Sequence, residues 1–224
     1  MIVTIDGPAG SGKSTTARAV AERLGYLYLD TGAMYRAVAL AFLRAEAEPT
    51  DEAAATVLPA MTVDVAYEND AMHVYLNGED VSDRIRTAEV GDMASRVSTL
   101  RAVREKMVDE QRRIGRKRNA QEGGVVLDGR DTGTVVFPDA DVKIFMTADS
   151  LERARRRRSE YSEDVSLEAV HQEIQERDRL DRERDIAPLR QADDAQVVDT
   201  TACTFEEQVD FVVDCVKQGA PGGT

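Results

Sequence analysis

The segment GPAGSGKS at positions 7–14 constrains this chain more than any other. It follows a short apolar run, IVTID (2–6), with the character of a buried strand. Beyond Lys13, the residues Ala17, Val20, Ala21 and Leu24 fall at i, i+3, i+4 and i+7, one face of a helix. A strand, then G-x-x-x-x-G-K-[ST], then a helix is the context a phosphate-binding loop requires. Glycines let the backbone curl so that several N–H groups converge on phosphate oxygens, and the helix N-terminus adds its positive end. Lys13 is placed to reach the β- and γ-phosphates, and the Ser14 hydroxyl to ligate Mg²⁺. Gly7, Pro8, Ala9, Gly10, Ser11, Gly12, Lys13, Ser14 and Thr15 are therefore expected to bind a nucleoside triphosphate. The motif leaves open what happens to the γ-phosphate.

Strand and helix patterns alternate along the remaining chain. YLYL (26–29) is a short strand ending in DTG, and AMYRAVALAFLRA (33–45) is a helix. From about 62 to 81, alternation and turn residues predict a small antiparallel β insert. A helical region follows from about 87 to 118, with Gly91 inside it and a break near Leu100. VVLD (125–128) and VKIFMT (142–147) are further strands. Asp149 and Glu152 form a cap-and-N3 pair opening a helix, and helix pattern returns over 166–184. VVD (197–199) is a last strand, and Thr204 with Glu207 makes a capping box for a final helix. Its expected buried stripe is Phe205, Val209, Val212, Val213 and Val216, and the tail GAPGGT (219–224) is expected to be disordered. Strands alternating with helices imply an α/β fold, a parallel sheet covered on both faces. A length of 224 residues suits one such domain with a small insert.

Charge narrows the partners. The formal net charge is −13, which disfavours non-specific attraction to nucleic acid or an anionic membrane. Any anion site must be a local arginine cluster, and arginine far outnumbers lysine, as forked contacts to phosphate favour. Cys203 and Cys215 lack metal-ligand spacing, and His73 and His171 stand apart, so no protein-held metal is expected. MIVTIDG has neither a basic n-region nor a long apolar h-region, so the expected location is the cytoplasm. No convincing DxxG and NKxD pair marks a GTPase switch, and LSGGQ is absent. What remains is a small-molecule kinase, which needs an acceptor-binding segment and an arginine-rich lid that excludes water.

Further stretches appear in order after the loop: LDTGAMYR (29–36), NGEDVSDRIRTAEV (77–90), ASRV (94–97), VRE (103–105) and VVLDGRDTGTVVFPDADVKIFMTA (125–148). ERD…D..R (176–184) and IAPL (186–189) follow. Together they closely resemble the bacterial cytidylate kinases, of the longer type with a β insert, over about residues 2–199. The loop alone is generic; DGRDTGTVVFPDAD with LDTGAMYR is highly specific. The resemblance implies a five-stranded parallel P-loop core (about 1–30, 120–150 and 190–218), an acceptor domain carrying the insert (about 31–119) and a helical lid (about 151–189). It implies transfer from ATP, with Mg²⁺, to CMP or dCMP by a cytoplasmic monomer that binds neither nucleic acid nor membrane. Carried over residue by residue, Arg36 and Arg130 are similar to ligands of the CMP phosphate, with Thr31 beside them. Ser95, Arg104 and Asp131 correspond to cytosine readers, Arg177 and Asp181 to ribose contacts, and Arg184 to a lid arginine on phosphate. Lys13, Arg130 and Arg184 are the expected catalytic groups. Thr132 sits where an apolar residue is usual.

The run ERDRLDRERD (176–185) has nine charged residues around one leucine. Its bland reading is a solvated helix face laced with salt bridges. Yet Arg177, Asp181 and Arg184 are spaced i, i+4 and i+7, so one helical face is expected to present two guanidiniums around a carboxylate. Arg179, Arg182 and Glu183 then form the solvated side. RARRRR (153–158) is either a nucleic-acid patch or the entry to the lid, with Arg153 or Arg157 reaching ATP phosphates. Asp128 either orders Mg²⁺ through water or braces its loop, and Tyr35 either lines the acceptor pocket or packs in the core.

Overall fold

The computed structural model of this chain describes residues 1–68, 71–159 and 165–219. Its elements, in chain order, are β1 (Ile2–Asp6), α1 (Lys13–Leu24), β2 (Leu27–Asp30), α2 (Thr31–Arg44), α3 (Asp51–Val57), β3 (Val63–Glu68), β4 (Ala71–Leu76) and β5 (Glu79–Asp80). There follow α4 (Ala88–Val97), α5 (Arg101–Glu122), β6 (Val125–Gly129), β7 (Val142–Thr147), α6 (Ser150–Arg158), α7 (Leu167–Glu183), β8 (Gln196–Asp199) and α8 (Phe205–Gly219). They form two compact units, Met1–Tyr28 with Arg118–Thr224, and Leu29–Lys117.

The first unit is built on a five-stranded sheet ordered β2-β6-β1-β7-β8. β1 pairs in parallel with β6, from Ile2↔Val125 to Asp6↔Gly129, and with β7 from Val3↔Val142 to Asp6↔Phe145. The near-continuous apolar character of β1 and β6 is what a strand buried on both faces needs. One face is closed by α1 and α8, whose Val20, Ala21, Val209, Val212, Val213 and Val216 pack with Val3, Ile5, Val126, Ile144 and Met146. Because β1 and β6 end side by side, the loops leaving Asp6 and Gly129 emerge at one edge, where open α/β sheets place their ligands.

The second unit holds the β insert as a sheet ordered β3-β4-β5, antiparallel from Val63↔Leu76 to Glu68↔Ala71. Val63, Val65, Val74 and Leu76 are its buried side, and α2 buries Met34, Ala37, Val38 and Phe42. Asp30 caps α2 by accepting from the Ala33 N–H at 2.8 Å.

Local expectations fare unevenly. The break near Leu100 falls between α4 and α5, although α5 runs on to Glu122. The Thr204–Glu207 box is reciprocal: Thr204 N–H donates to Glu207 at 2.8 Å, and Glu207 N–H to Thr204 Oγ1 at 3.3 Å. At α6 only half of the expected pair forms. Asp149 accepts from Leu151 and Glu152 N–H groups, but Glu152 turns to Arg155 and Arg156, while Asp149 N–H donates to Thr201 Oγ1. Phe205 is 45% exposed rather than part of the stripe, because it sits on the first position of α8, ahead of the turn that meets the sheet. Helix α3, capped by Thr50, went unanticipated because DEAAATV is too short for a clear apolar period. The tail expected to be disordered lies, apart from Gly219, outside the described residues.

Gly7 closes β1, and a Cβ there would overlap the carbonyl oxygen of Met146 on β7. Gly7→Ala is expected to lower stability by about 3 kcal/mol, since two paired strands must part to admit it. Denaturant unfolding measures this, and a loss under about 1 kcal/mol would mean that the strand end yields freely.

Candidate active site

Backbone geometry at the end of β1 is set by glycine. Gly10 and Gly12 adopt φ of 73° and 90°, left-handed values that other residues reach only at a cost. Gly12 is the N-cap of α1, with no side-chain cap and no acidic residue in the first turn. The leading N–H groups and the positive end of that helix are therefore offered to an outside anion. Lys13 is 5% exposed and donates its Nζ to the Pro8 carbonyl at 2.7 Å. Burial lowers its pKa to about 7; Arg130 pushes the same way, and Asp128 and Asp181 oppose. Ser14 is exposed and donates Oγ to Asp128 Oδ2 at 2.6 Å. The other oxygen of Asp128 accepts from Tyr28 OH at 2.8 Å, and the Arg18 guanidinium lies 5.4 Å from the Tyr28 ring centre. Asp128 is thus braced on one oxygen and turned towards the loop serine with the other.

Beside it, Asp6 ends β1 and fixes the segment after β6. It accepts from Thr132 N–H at 2.9 Å, Thr132 Oγ1 at 2.8 Å and Gly133 N–H at 2.7 Å. The Thr132 hydroxyl, where an apolar residue was expected, therefore serves a buried carboxylate. Burial pushes the Asp6 pKa up to about 6, against the pull of these bonds. Thr132–Val136 forms a single π-helical turn, a local irregularity often found at functional sites.

Two arginines are gathered here with their carboxylates. Arg130 Nε donates to Asp181 Oδ2 at 2.7 Å. Arg184 places Nη2 3.6 Å from Asp131 Oδ1 and Nη1 3.7 Å from Asp181 Oδ1. The cations Arg130, Arg177 and Arg184 hold the Asp181 carboxyl below its usual range despite burial. The expected helical face of Arg177, Asp181 and Arg184 is corrected: α7 stops at Glu183, and Arg184 is its C-cap with ψ 138°. The chain folds back there, with Leu189 N–H donating to the Asp181 carbonyl at 2.7 Å and Ala187 at φ 49° just ahead of Pro188. Arg184 Nε bonds the Ala187 carbonyl at 2.6 Å, so the turn, not the helix, aims this arginine. On the solvent side Arg179 pairs with Glu176 and Glu183, as the bland reading of the run expects.

Sequence reasoning missed Asp178, which is buried and takes the fork of Arg153. Its signal was available: Asp178 lies at i+4 and i+8 from the buried Ile174 and Val170 of the same helix. Arg155 pairs with Glu152, and Arg156 donates to the Thr200 carbonyl at 2.6 Å, so part of the arginine run is committed within the protein.

The remaining candidates belong to the second unit. Thr31 begins α2 and is buried, while Arg36, five residues on, donates to the Ile85 carbonyl at 3.4 Å. Ser95 on α4 donates to the Gly91 carbonyl at 3.3 Å. Arg104 on α5 is 2% exposed, donates to the Ser98 carbonyl at 3.3 Å and lies 5.6 Å from the Tyr35 ring centre. Among the described residues, no group of three His, Cys, Asp or Glu is placed to hold a metal ion, and no helix is long and apolar enough to cross a membrane.

Comparison with known proteins agrees with this chemistry. The sequence model of the family described as cytidylate kinase matches residues 3–218. The chain is 66% identical to the cytidylate kinase of Salinibacter ruber, covering 100% of both chains. It is 44% identical to that of Bacillus subtilis, covering 96% of each. A crystal structure of a Thermus thermophilus protein, 21% identical, aligns with a TM-score of 0.51 over 99% of this chain and 98% of that one, a likeness of fold.

With its pKa lowered to about 7 by burial, Lys13 is mostly neutral at pH 8, and triphosphate oxygens placed around it would favour its protonated form. Nucleotide binding is therefore expected to take up about one proton at pH 8 and little at pH 6, with apparent affinity falling as pH rises above 7. Titration calorimetry in buffers of different ionisation enthalpy reads the proton count. No proton uptake at pH 8 would show that Lys13 stays charged throughout.

Proposed function

The chain belongs to the cytidylate kinase family and transfers the γ-phosphate of ATP to CMP, and from that premise we propose which residues do the work. The observation that carries the assignment is the convergence, at the ends of β1 and β6, of an uncapped helix N-terminus, a buried lysine and two carboxylate-held arginines. Donors of this kind neutralise charge on a transferring phosphoryl group, and the acceptor phosphate, already a dianion near neutral pH, needs no strong base. Transfer is in line and direct, without a covalent enzyme intermediate.

In this reading residues 7–15 hold ATP, with Lys13 on the β- and γ-phosphates. Mg²⁺, bound with ATP, would supply charge neutralisation. Ser14 and Asp128, hard oxygen donors already hydrogen-bonded to each other, suit a cation that keeps most of its waters. Arg36, Arg130 and Thr31 are assigned to the CMP phosphate, and Arg184 adds charge to the transferring group. Arg177 and Asp181 meet the ribose. The segment of about 151–189, which includes α6 and α7, acts as the lid that excludes water, and about 31–119 as the acceptor domain. We take dCMP as a second acceptor, and the enzyme as a monomer working in the cytoplasm, where nucleotide substrates are found.

Choice of base is assigned to Asp131, Arg104 and Ser95. A carboxylate suits the N4 amino group of cytosine, and a guanidinium suits N3 and O2. Uracil opposes both, so much of the discrimination comes from repulsion. The test is kcat/KM for CMP, dCMP, UMP, AMP and GMP at saturating MgATP, in the wild type and in Asp131→Ala. The variant is expected to lose CMP turnover and to narrow the CMP/UMP ratio by about 1–3 kcal/mol. A tenfold loss of activity with an unchanged ratio would make Asp131 a support for its loop, not a reader of the base.

A further inference from the structure

Arg153 stands on the first turn of α6, opposite the phosphate loop, and is 4% exposed. Its fork closes on Asp178 of α7, Nη1 to Oδ1 at 3.1 Å and Nη2 to Oδ2 at 2.7 Å. Nε donates to the Ala148 carbonyl at 3.0 Å, and Nη1 also donates to the Ala9 carbonyl, inside the loop, at 3.0 Å. Four of the five N–H bonds of the guanidinium are thus committed within the protein. The loop also lies against the backbone of the same residue. A Cβ on Gly10 would come 3.0 Å from both the Cβ and the carbonyl oxygen of Arg153, closer than ordinary contact. Glycine at position 10 is therefore required by φ and by Arg153 together.

We propose that Arg153, fixed by Asp178, is a positioning residue that holds the Ala9–Gly10 turn in its phosphate-binding form. It acts through the Ala9 carbonyl and does not touch ATP. The peptide between Ala9 and Gly10 is planar and trans, so its N–H points opposite to its C=O. Pinning the Ala9 oxygen to Arg153 thereby aims the Gly10 N–H away from α6 and keeps it available to a phosphate oxygen. Lysine has no fork and cannot serve Asp178, Ala148 and Ala9 together. The same helix carries Asp181, which holds Arg130, so α7 braces the donor loop and an acceptor-side arginine at once.

This inference rests on residues 7–15 being the ATP loop, and the test separates the two. Steady-state kinetics are measured for Arg153→Lys, Asp178→Asn and the double variant, alongside melting temperatures and a Lys13→Ala control. Each single variant is expected to raise KM for MgATP about tenfold or more while KM for CMP stays within about threefold, and the double variant should be no worse than the weaker single, as for residues acting as one unit. A lowered melting temperature with unchanged KM for MgATP overturns the proposal, leaving the pair a structural brace only. A raised KM in Arg153→Lys with a normal one in Asp178→Asn also overturns it, because Arg153 would then contact ATP itself. Should a pair variant fail to fold, Gly10→Ala crowds the same contact with the ion pair intact and must raise KM for MgATP, or the proposal falls. Full turnover in Lys13→Ala would instead sink the assignment of the loop.

Discussion

Charge buried away from water must be answered inside the protein, and that requirement organises the ligand-binding end of the first unit. Asp6, Asp128, Asp131, Asp178, Lys13 and Arg153 are all buried there. Desolvating each ion costs several kcal/mol even after relaxation, so none persists without partners of good geometry. Each partner lies on a different element. Asp6 at the end of β1 is answered by the turn after β6; Asp128 at the end of β6 by α1 and β2; Asp178 on α7 by α6. The elements are thus tied to one another by their charges, and removal of one partner strands another at a cost of about 3–5 kcal/mol.

On the proposed assignment this same arrangement readies the site for anions. Arg130 and Arg184 are ordered on Asp181 and Asp131, so little of the rotamer entropy of either side chain remains to be lost, a saving of about 0.5–1.5 kcal/mol per side chain. On the proposed assignment a phosphate dianion shares these guanidiniums with the carboxylates and does not displace them, since displacement would strand buried charge. Lys13 works in the opposite sense. Burial, with Arg130 and Arg177 adding to it, lowers its pKa, and on the proposed assignment phosphate oxygens favour the return of its proton.

The outline of this fold was legible in the sequence because its signals are local. β7 matches VKIFMT to the residue, and the cap of α8 was written in Thr204 and Glu207. What escaped was set by tertiary partners. Arg184 continues the helical spacing in sequence, yet the return of the chain through Ala187 to Leu189 takes it out of the helix. Asp178 shares the helical stripe of Val170 and Ile174, but its partner is Arg153 on a different helix, which no local pattern links to it. Asp6 passes for the polar end of a strand, although it is the acceptor that shapes the Thr132 turn. The resemblance supplied candidate residues for the site, while the commitment of Arg153 and Arg156 within the protein is set by tertiary partners.

An enzyme with a net charge of −13 must still attract two polyanions. Ionic strength resolves the conflict by distance. At physiological salt, exposed charges fade beyond a Debye length of about 8 Å, whereas buried groups are screened far less. Acidic residues such as Glu206 and Asp210 on α8 and Glu176 and Glu183 on α7 are exposed, and much of their field is cancelled by arginine partners or salt. On the proposed assignment Lys13, Arg130 and Arg184 act at contact range in low dielectric, where each charge counts for several times its worth in water. On that assignment the surface acidity sets the long-range field, which disfavours non-specific attraction of polyanions, while the interior cluster sets affinity. The two fields differ in sign because they operate on different length scales.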